Sequence, residues 1–410
     1  MFVQIHTLTG YAGVLLNRDD TGMAKRLTYG DAVRTRTSSQ FAKRKIRTAD
    51  GEHSLQSADI GVSVRSRETF KRLIAQPLVD AGYDKKAVVD TTLVLMDAVY
   101  KPSPKAEKSR KEKTAAITKG DADAMSLLER GEINVLSQSE ITYLRDLVEN
   151  CLKDSGTDGS AKAAMKLIAD KEFLKNLRKA GESMSLDIAM FGRMVTGDAL
   201  SSVSAAVHVA HGLTVHAQAV ETDFFTAVDD LVTGDEDSGG GHLGEVEITS
   251  PMLYGYYVVD VSQLASNLLG VDNAAEISAE MVGKLIRLVT EQVIGAKKGS
   301  TAPYSSSDFV MVEIGKGQPR TLAEAFRTPT KPNLVAAISA LGGYLAGKDK
   351  MYAGSPLDRL VACAADVGEV FGAQMNVLEL ASAIATRVEP EVARIVIEIA
   401  ANTAPAKQAA

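Results

Sequence analysis

Between Arg34 and Arg47 the chain reads RTRTSSQFAKRKIR, and its cations and amides recur at a spacing that can hold a row of phosphates. On a helix turning 100° per residue, Gln40, Lys43, Arg44 and Arg47 share one side, while Phe41, Ala42 and Ile46 share the other. Lys45 falls near the apolar edge, where its stem can pack while the ammonium reaches water. Ser38 or Ser39 supplies an N-cap, because a serine oxygen accepts a free amide proton of the first turn. The helix N-terminus adds unpaired amides and the positive end of the dipole, both suited to an anion. A solvated basic face is the competing reading of any charge run. The serines and glutamine beside the cations favour a phosphate-binding surface.

Other constellations fail on spacing. His208, His211 and His216 invite a metal, but on one strand His208 and His216 share a face, His211 points away, and no acidic third ligand is near. Asp235–Val246 has Asp235, Asp237 and Gly240 where a calcium loop needs them. It also has Gly239 at the fifth position, and Val246 where a bidentate glutamate belongs. Gly295–Ser300 (GAKKGS) is one residue short of a P-loop and lacks a lysine after the second glycine, which leaves Lys297 and Lys298 as cations near a loop. The Asp19/Asp20 cluster could serve a metal-assisted or acid–base role, or it could order the neighbouring Arg18; Asp31 lies in the same loop. No GxSxG, HExxH or kinase set appears. The expectation is a protein with no catalytic site, no cofactor and no metal.

The elements around these residues alternate in character. Phe2–Thr9 has strand alternation, Leu16–Gly30 reads as an irregular charged loop, and the basic helix follows. That order suits an α+β sandwich; a Rossmann unit would need a tight glycine-rich turn after the strand. From residue 55 to 181, Glu68–Gln76, Ala87–Val99, Ala122–Arg130, Glu140–Leu152 and Lys162–Leu177 read as amphipathic helices of one insertion. Lys101–Lys113 and Asp154–Ser160 read as polar breaks, the first a mobile surface loop. Ser185–Met194 reads as a strand. Val207–Gln218 reads as one long strand, because its alternation persists through Gly212. A flexible tip is expected over Thr233–Gly244. Strand Glu245–Val261, helix Ala274–Gln292, strand Asp308–Ile314 and an alanine-rich helical segment with a disordered tail, Ala404–Ala410, complete the chain. There are no internal repeats.

With 410 residues, 45% of them hydrophobic, the chain can bury two or three lobes. Its net charge is −6, so any nucleic-acid binding must be local. The first 47 residues carry nine Lys/Arg against three Asp, an excess of +6, which leaves about −12 for the remainder. Cys151 and Cys363 are far apart in sequence, which argues against a disulfide framework or zinc site. Met1–Thr9 alternates polar and apolar residues, unlike a signal peptide, and Leu334–Ala346 is too short to span a bilayer. A cytoplasmic protein without a membrane partner is expected.

LNRDD (Leu16–Asp20), the RTRTSSQFAKRKIR run, FGRM (Phe191–Met194) and FFTAVDDL (Phe224–Leu231) resemble, in order and spacing, the CasC family. CasC is the CRISPR RNA-binding backbone subunit of the type I-E Cascade complex. HLG at His242–Gly244 and GAK at Gly295–Lys297 fit the same pattern, so the resemblance spans roughly residues 1–315. It implies a modified RNA-recognition-motif (ferredoxin-like) palm from 1–54 and 182–315. Fingers formed by 55–181, an extended thumb at about 219–250 and a C-terminal segment from 316 to 410 complete the implied architecture. Copies would stack head to tail (a hexameric backbone in the family) along a CRISPR RNA, kinking it so that segments pair with target DNA, beside other Cascade subunits. The family's guide-binding positions fall on Arg18, Lys25, Arg36, Ser38, Ser39, Gln40, Lys43, Arg44 and Arg47. Met194 matches a methionine that wedges at the flipped nucleotide, and Phe225 and Thr226 match thumb residues at the kink. The bland alternative for Met194 and Phe225 is core packing.

Overall fold

A computed structural model describes residues 1–57, 61–182, 185–194, 200, 202–227, 242–291, 295, 297–352 and 357–403. Among these the strands, in chain order, are β1 (Phe2–Gly10), β2 (Arg26–Tyr29), β3 (Ala32–Thr37), β4 (Val64–Ser66), β5 (Asn134–Leu136), β6 (Val207–Val209) and β7 (Gly212–Thr214). They continue with β8 (Glu221–Ala227), β9 (His242–Ile248), β10 (Met252–Asp260), β11 (Phe309–Gly315), β12 (Asp358–Cys363) and β13 (Ala373–Gln374). The chain forms two compact units: Met1–Ser54, Val207–Ser262 and Ala275–Ala410 in the first, Leu55–Ala206 and Gln263–Ala274 in the second.

The first unit has the α+β architecture expected. Its nine-stranded sheet runs β13-β12-β11-β1-β10-β7-β3-β2, with β6 also on β10. β1 lies at the centre, antiparallel to β10 (Ile5 opposite Tyr257) and to β11 (Ile5 opposite Val312). It is buried on both faces although its sequence alternates, so Gln4, His6, Thr7 and Thr9 are enclosed along with Val3, Ile5 and Leu8. One sheet face carries Leu8, Tyr254, Phe309 and Met311, and the helix Leu334–Met351 covers it with Ala337, Leu341 and Leu345. Asn333 starts that helix by accepting from the Ala336 amide at 2.9 Å.

The alanine-rich C-terminal segment is therefore not helix alone, because β12 and β13 within it extend the sheet. The loop expected over Leu16–Gly30 contains β2, which pairs β3 as a hairpin. Val207–Gln218 is two strands rather than one. β6 sets Val209 opposite Tyr257, whereas β7 sets Leu213 opposite Tyr254, so one extra residue intervenes on that side and resets the register. The tail 404–410 and most of the tip 233–244 lie outside the described residues.

In the second unit, helix Lys85–Val99 packs along Gln138–Ala169, with Val88, Leu95, Ile141, Leu144 and Val148 in the core. The polar break over Asp154–Ser160 survives as a kink at Gly156, at φ 65°. Lys101–Lys113 corrects the loop expectation: residues Pro104–Lys119 are helical. Ser103 caps this helix through the Ala106 amide, proline opens it, and Gly120 closes it in the left-handed region. Lysine, glutamate and arginine are good helix formers, and Arg110 anchors the exposed helix with two bonds of 2.6 and 2.7 Å to Asp97. Ser185–Met194 is also corrected, since Leu186–Phe191 is a helix. Leu186, Ile188, Ala189 and Met190 are all buried, and a helix buried all round leaves no 3.6-residue signature to read. Among the described residues no helix is long and apolar enough to cross a membrane.

Candidate nucleic-acid interface

The basic helix spans Ser39–Arg47, and Ser38 is its N-cap. The Ser38 hydroxyl accepts from the Phe41 amide at 3.2 Å, while its own amide donates to Asn17 Oδ1 at 3.0 Å. Ser39 Oγ donates instead to Gln40 Oε1. Ala42 and Ile46 are buried, Gln40 and Arg44 are exposed, and Lys43 and Arg47 are half-buried. Lys45 Nζ stands 5.6 Å from the Phe41 ring centroid. Burial, then Lys298 and Arg44, pull the Lys45 ammonium below its usual pKa.

Asn17 joins the preceding loop to this helix. Its carbonyl accepts from the Lys25 amide at 2.8 Å, and the Lys25 carbonyl accepts from the Arg36 amide at 2.8 Å. Arg18 forms a bridge with Ala24 across the same loop. Arg18, Lys25, Arg36 and the helix cap thus belong to one hydrogen-bonded piece. Arg36 Nη1 lies 3.0 Å from His211 Nδ1. Desolvation, then Arg36 and Lys25, lower the His211 pKa, so the neutral ring accepts from the guanidinium. In the sequence His211 reads only as a candidate metal ligand; its pairing with Arg36 depends on β7 lying beside β3.

The other histidines separate similarly. His216 is buried, donating Nδ1–H to the Ala217 carbonyl at 2.7 Å and accepting the Met252 amide at Nε2, 3.1 Å away. His208 is exposed. No cluster of metal-ligating side chains occurs among the described residues, and residues 235–241 of the rejected calcium loop lie outside them. Asp19 Oδ1 accepts from the Thr21 hydroxyl at 2.7 Å and from the Thr21 and Met23 amides, each at 3.0 Å. The Thr21 hydroxyl is the chief cause of its lowered pKa. This carboxylate shapes the turn. Arg34, inside the basic run, is fully buried and donates to the carbonyls of Thr214 at 3.1 Å and Phe326 at 2.7 Å, so it holds the fold.

Phe225 and Thr226 lie on β8, which pairs with β9 in a separate hairpin and is exposed along its length. Phe224 is 63% and Phe225 42% exposed, unlike core phenylalanines. Phe225 faces Gly244 across the hairpin, and a Cβ on Gly244 would run into its ring. Lys297 Nζ stands 5.7 Å from the Phe225 ring centroid. The GAKKGS loop therefore connects two parts of the site: Lys298 acts on Lys45, and Lys297 sits over Phe225. In the sequence Lys297 is marked by the GAK match and Lys298 only by its place near a loop.

Met194 belongs to the second unit and is 89% exposed. Its motif, FGRM, is a turn that sends adjacent side chains opposite ways. Gly192 adopts φ 75°, and a Cβ there would lie 2.6 Å from the Val203 carbonyl oxygen. Arg193 is buried against both carboxylate oxygens of Glu140, at 2.9 and 2.8 Å. Glu140 also accepts the Ser137 amide in the capping box of helix Gln138–Ala169.

A helix with cations on its outer face, an arginine–histidine pair and exposed rings beside lysines define a surface that can hold a polyanion by its backbone. The chain belongs to the CT1975-like protein family, whose sequence model matches residues 3–385. Its fold is similar to a chain of a solved "CRISPR RNA-guided surveillance complex, pre-nicking", with TM-score 0.74 and 23% identity over 95% of this chain and 100% of that one. A chain of another solved "CRISPR RNA-guided surveillance complex" matches with TM-score 0.55 and 20% identity over 94% and 99%. No curated protein matches.

Proposed function

We propose that this protein is a CRISPR RNA-binding backbone subunit of a Cascade-type interference complex, of the type I-E kind that its motifs resemble. Copies polymerise head to tail along the guide. Arg18, Lys25, Arg36, Ser38, Ser39, Gln40, Lys43, Arg44 and Arg47 hold its phosphates, while Met194, Phe225 and Thr226 unstack it at intervals. Segments between the kinks pair with target DNA, and other Cascade subunits complete the assembly. The protein itself performs no chemistry. One observation carries this reading above the others: the basic helix, its capping serine and the Lys25–Arg36–His211 cluster form one surface joined by hydrogen bonds. Such a surface grips phosphates without reading bases, as a guide requires, since base pairing supplies the specificity.

Co-expression with a CRISPR array and size fractionation test this. The protein contains no Trp and 11 Tyr, so bound RNA would dominate its ultraviolet spectrum. A large species with a high 260/280 ratio, holding RNA of uniform length that stays intact with Mg²⁺, is the expected result. Lys43→Glu with Arg44→Glu should abolish guide retention. A protein-only monomer from the wild type, or normal guide occupancy in the double variant, would overturn the proposal.

A further inference from the structure

Arg65 lies on β4 and lines a shallow cavity of about 490 Å³ that also contains Met194, Gly192, Ser202 and Ser204. Its guanidinium is only partly engaged. Nη2 stands 3.4 Å from Asp187 Oδ2, at the long end for a hydrogen bond. Asp187 meanwhile accepts from the Ser63 amide and hydroxyl, each at 2.6 Å. Arg65 Nε is buried and has no hydrogen-bond partner among the described residues. One weak bond to Asp187 leaves most of the guanidinium's five donors unused, and phosphate oxygens accept from such donors. The side chain is 28% exposed, so a ligand can reach it from the cavity that the Met194 thioether borders. A cation with spare donors beside an exposed apolar side chain suits one nucleotide of a single strand, phosphate on the first and base on the second.

Resting on the RNA-binding reading above, we infer that Arg65 grips a phosphate of the nucleotide whose base lies against Met194. The affinity of full-length, RNA-free protein for fluorescein-labelled oligouridylate, titrated with KCl, tests this directly. Losing one phosphate contact from a single strand flattens the slope of log affinity against log salt by about 0.7. Arg65→Gln should show that change, and Arg65→Lys, which keeps the charge, should restore the slope. If Arg65→Gln binds with the wild-type slope, the inference is overturned, whether or not affinity drops. A purely structural role through Asp187 would weaken binding without changing the count of neutralised phosphates. Lys43→Glu with Arg44→Glu in the same assay separates the two ideas. If that pair flattens the slope and Arg65→Gln does not, only the Arg65 contact is lost. If neither does, the RNA-binding reading falls too.

Discussion

Neighbouring residues in FGRM have opposite energetic roles. Arg193 is 4% and Glu140 1% exposed at their side chains, so removing either leaves a charge in a low-dielectric interior. Arg193→Leu should therefore cost about 3–5 kcal/mol, read as a lower denaturation midpoint. Met194, with 89% of its surface in solvent, should tolerate alanine within about 0.5 kcal/mol while guide retention weakens. A midpoint loss in Met194→Ala comparable to that of Arg193→Leu would show the methionine to be a packing residue. The same contrast separates Arg34 from Arg36: one donates to buried carbonyls, the other to a histidine at the surface. Charge alone does not reveal this difference. Both arginines sit in one basic run, and only the strands brought beside them decide which is sealed in.

At nine residues, the basic helix is too short to persist alone and depends on its cap and its buried Ala42 and Ile46. Ser38→Ala removes the oxygen that accepts the Phe41 amide and should cost about 1 kcal/mol. In thermal denaturation Ser38→Ala should melt earlier than Ser39→Ala, since the Ser39 hydroxyl donates to the Gln40 side chain and caps no amide. Equal melting of the two variants would remove Ser38 from the cap. This helix was legible because cap, amphipathic period and charged face all agreed, while β1 was legible for its alternation and β11 for its apolar run. The fully buried helix Leu186–Phe191 hid its period, and the solvated helix Pro104–Lys119 had almost no apolar stripe to show one. At β6–β7 the apolar alternation continued in sequence while the pairing slipped by one residue, a tertiary event that periodicity cannot register. The site followed the same logic. Its helix could be read locally, but His211, Lys297, Lys298 and Arg65 acquire their settings from segments distant in sequence.

Across the first unit, the C-terminal segment covers one sheet face, and cations are concentrated on β2 and β3 at one sheet edge and on the basic helix that follows β3. The seal is partly polar. Tyr254 hydroxyl accepts the Leu322 amide at 3.0 Å, so its own proton goes to His6 Nδ1 at 2.8 Å. The His6 Nε2–H then faces Glu313, 3.4 Å away, and Glu313 also receives Arg359 from β12 at 2.8 Å. Burial lowers the His6 pKa despite Glu313, and burial likewise lowers that of His216. Both fold as neutral rings, whereas the unfolded chain binds their protons near 6.5. The unfolded state thus holds more protons just below that pH, so stability is fully present above 6.5 and falls as the pH drops through it. Each histidine contributes a slope of up to about 1.4 kcal/mol per pH unit. Glu313 and Asp349 are also lowered: against burial, the hydrogen bond with His6 and then Arg359 prevail at Glu313, and Arg359 acts first at Asp349. Their contribution is present above their ordinary values of 4.5 and 3.8 and is lost only below them. Between pH 6.5 and 4.5 the buried histidines should dominate, with exposed His211 screened by solvent. Urea unfolding across that range should show stability falling with acid. His216→Asn should reduce the slope, since the asparagine cannot take up the proton. A stability that stays level from pH 7 to 5 would mean that His6 and His216 take up protons as readily in the folded protein as in the unfolded chain, contrary to the network that encloses them.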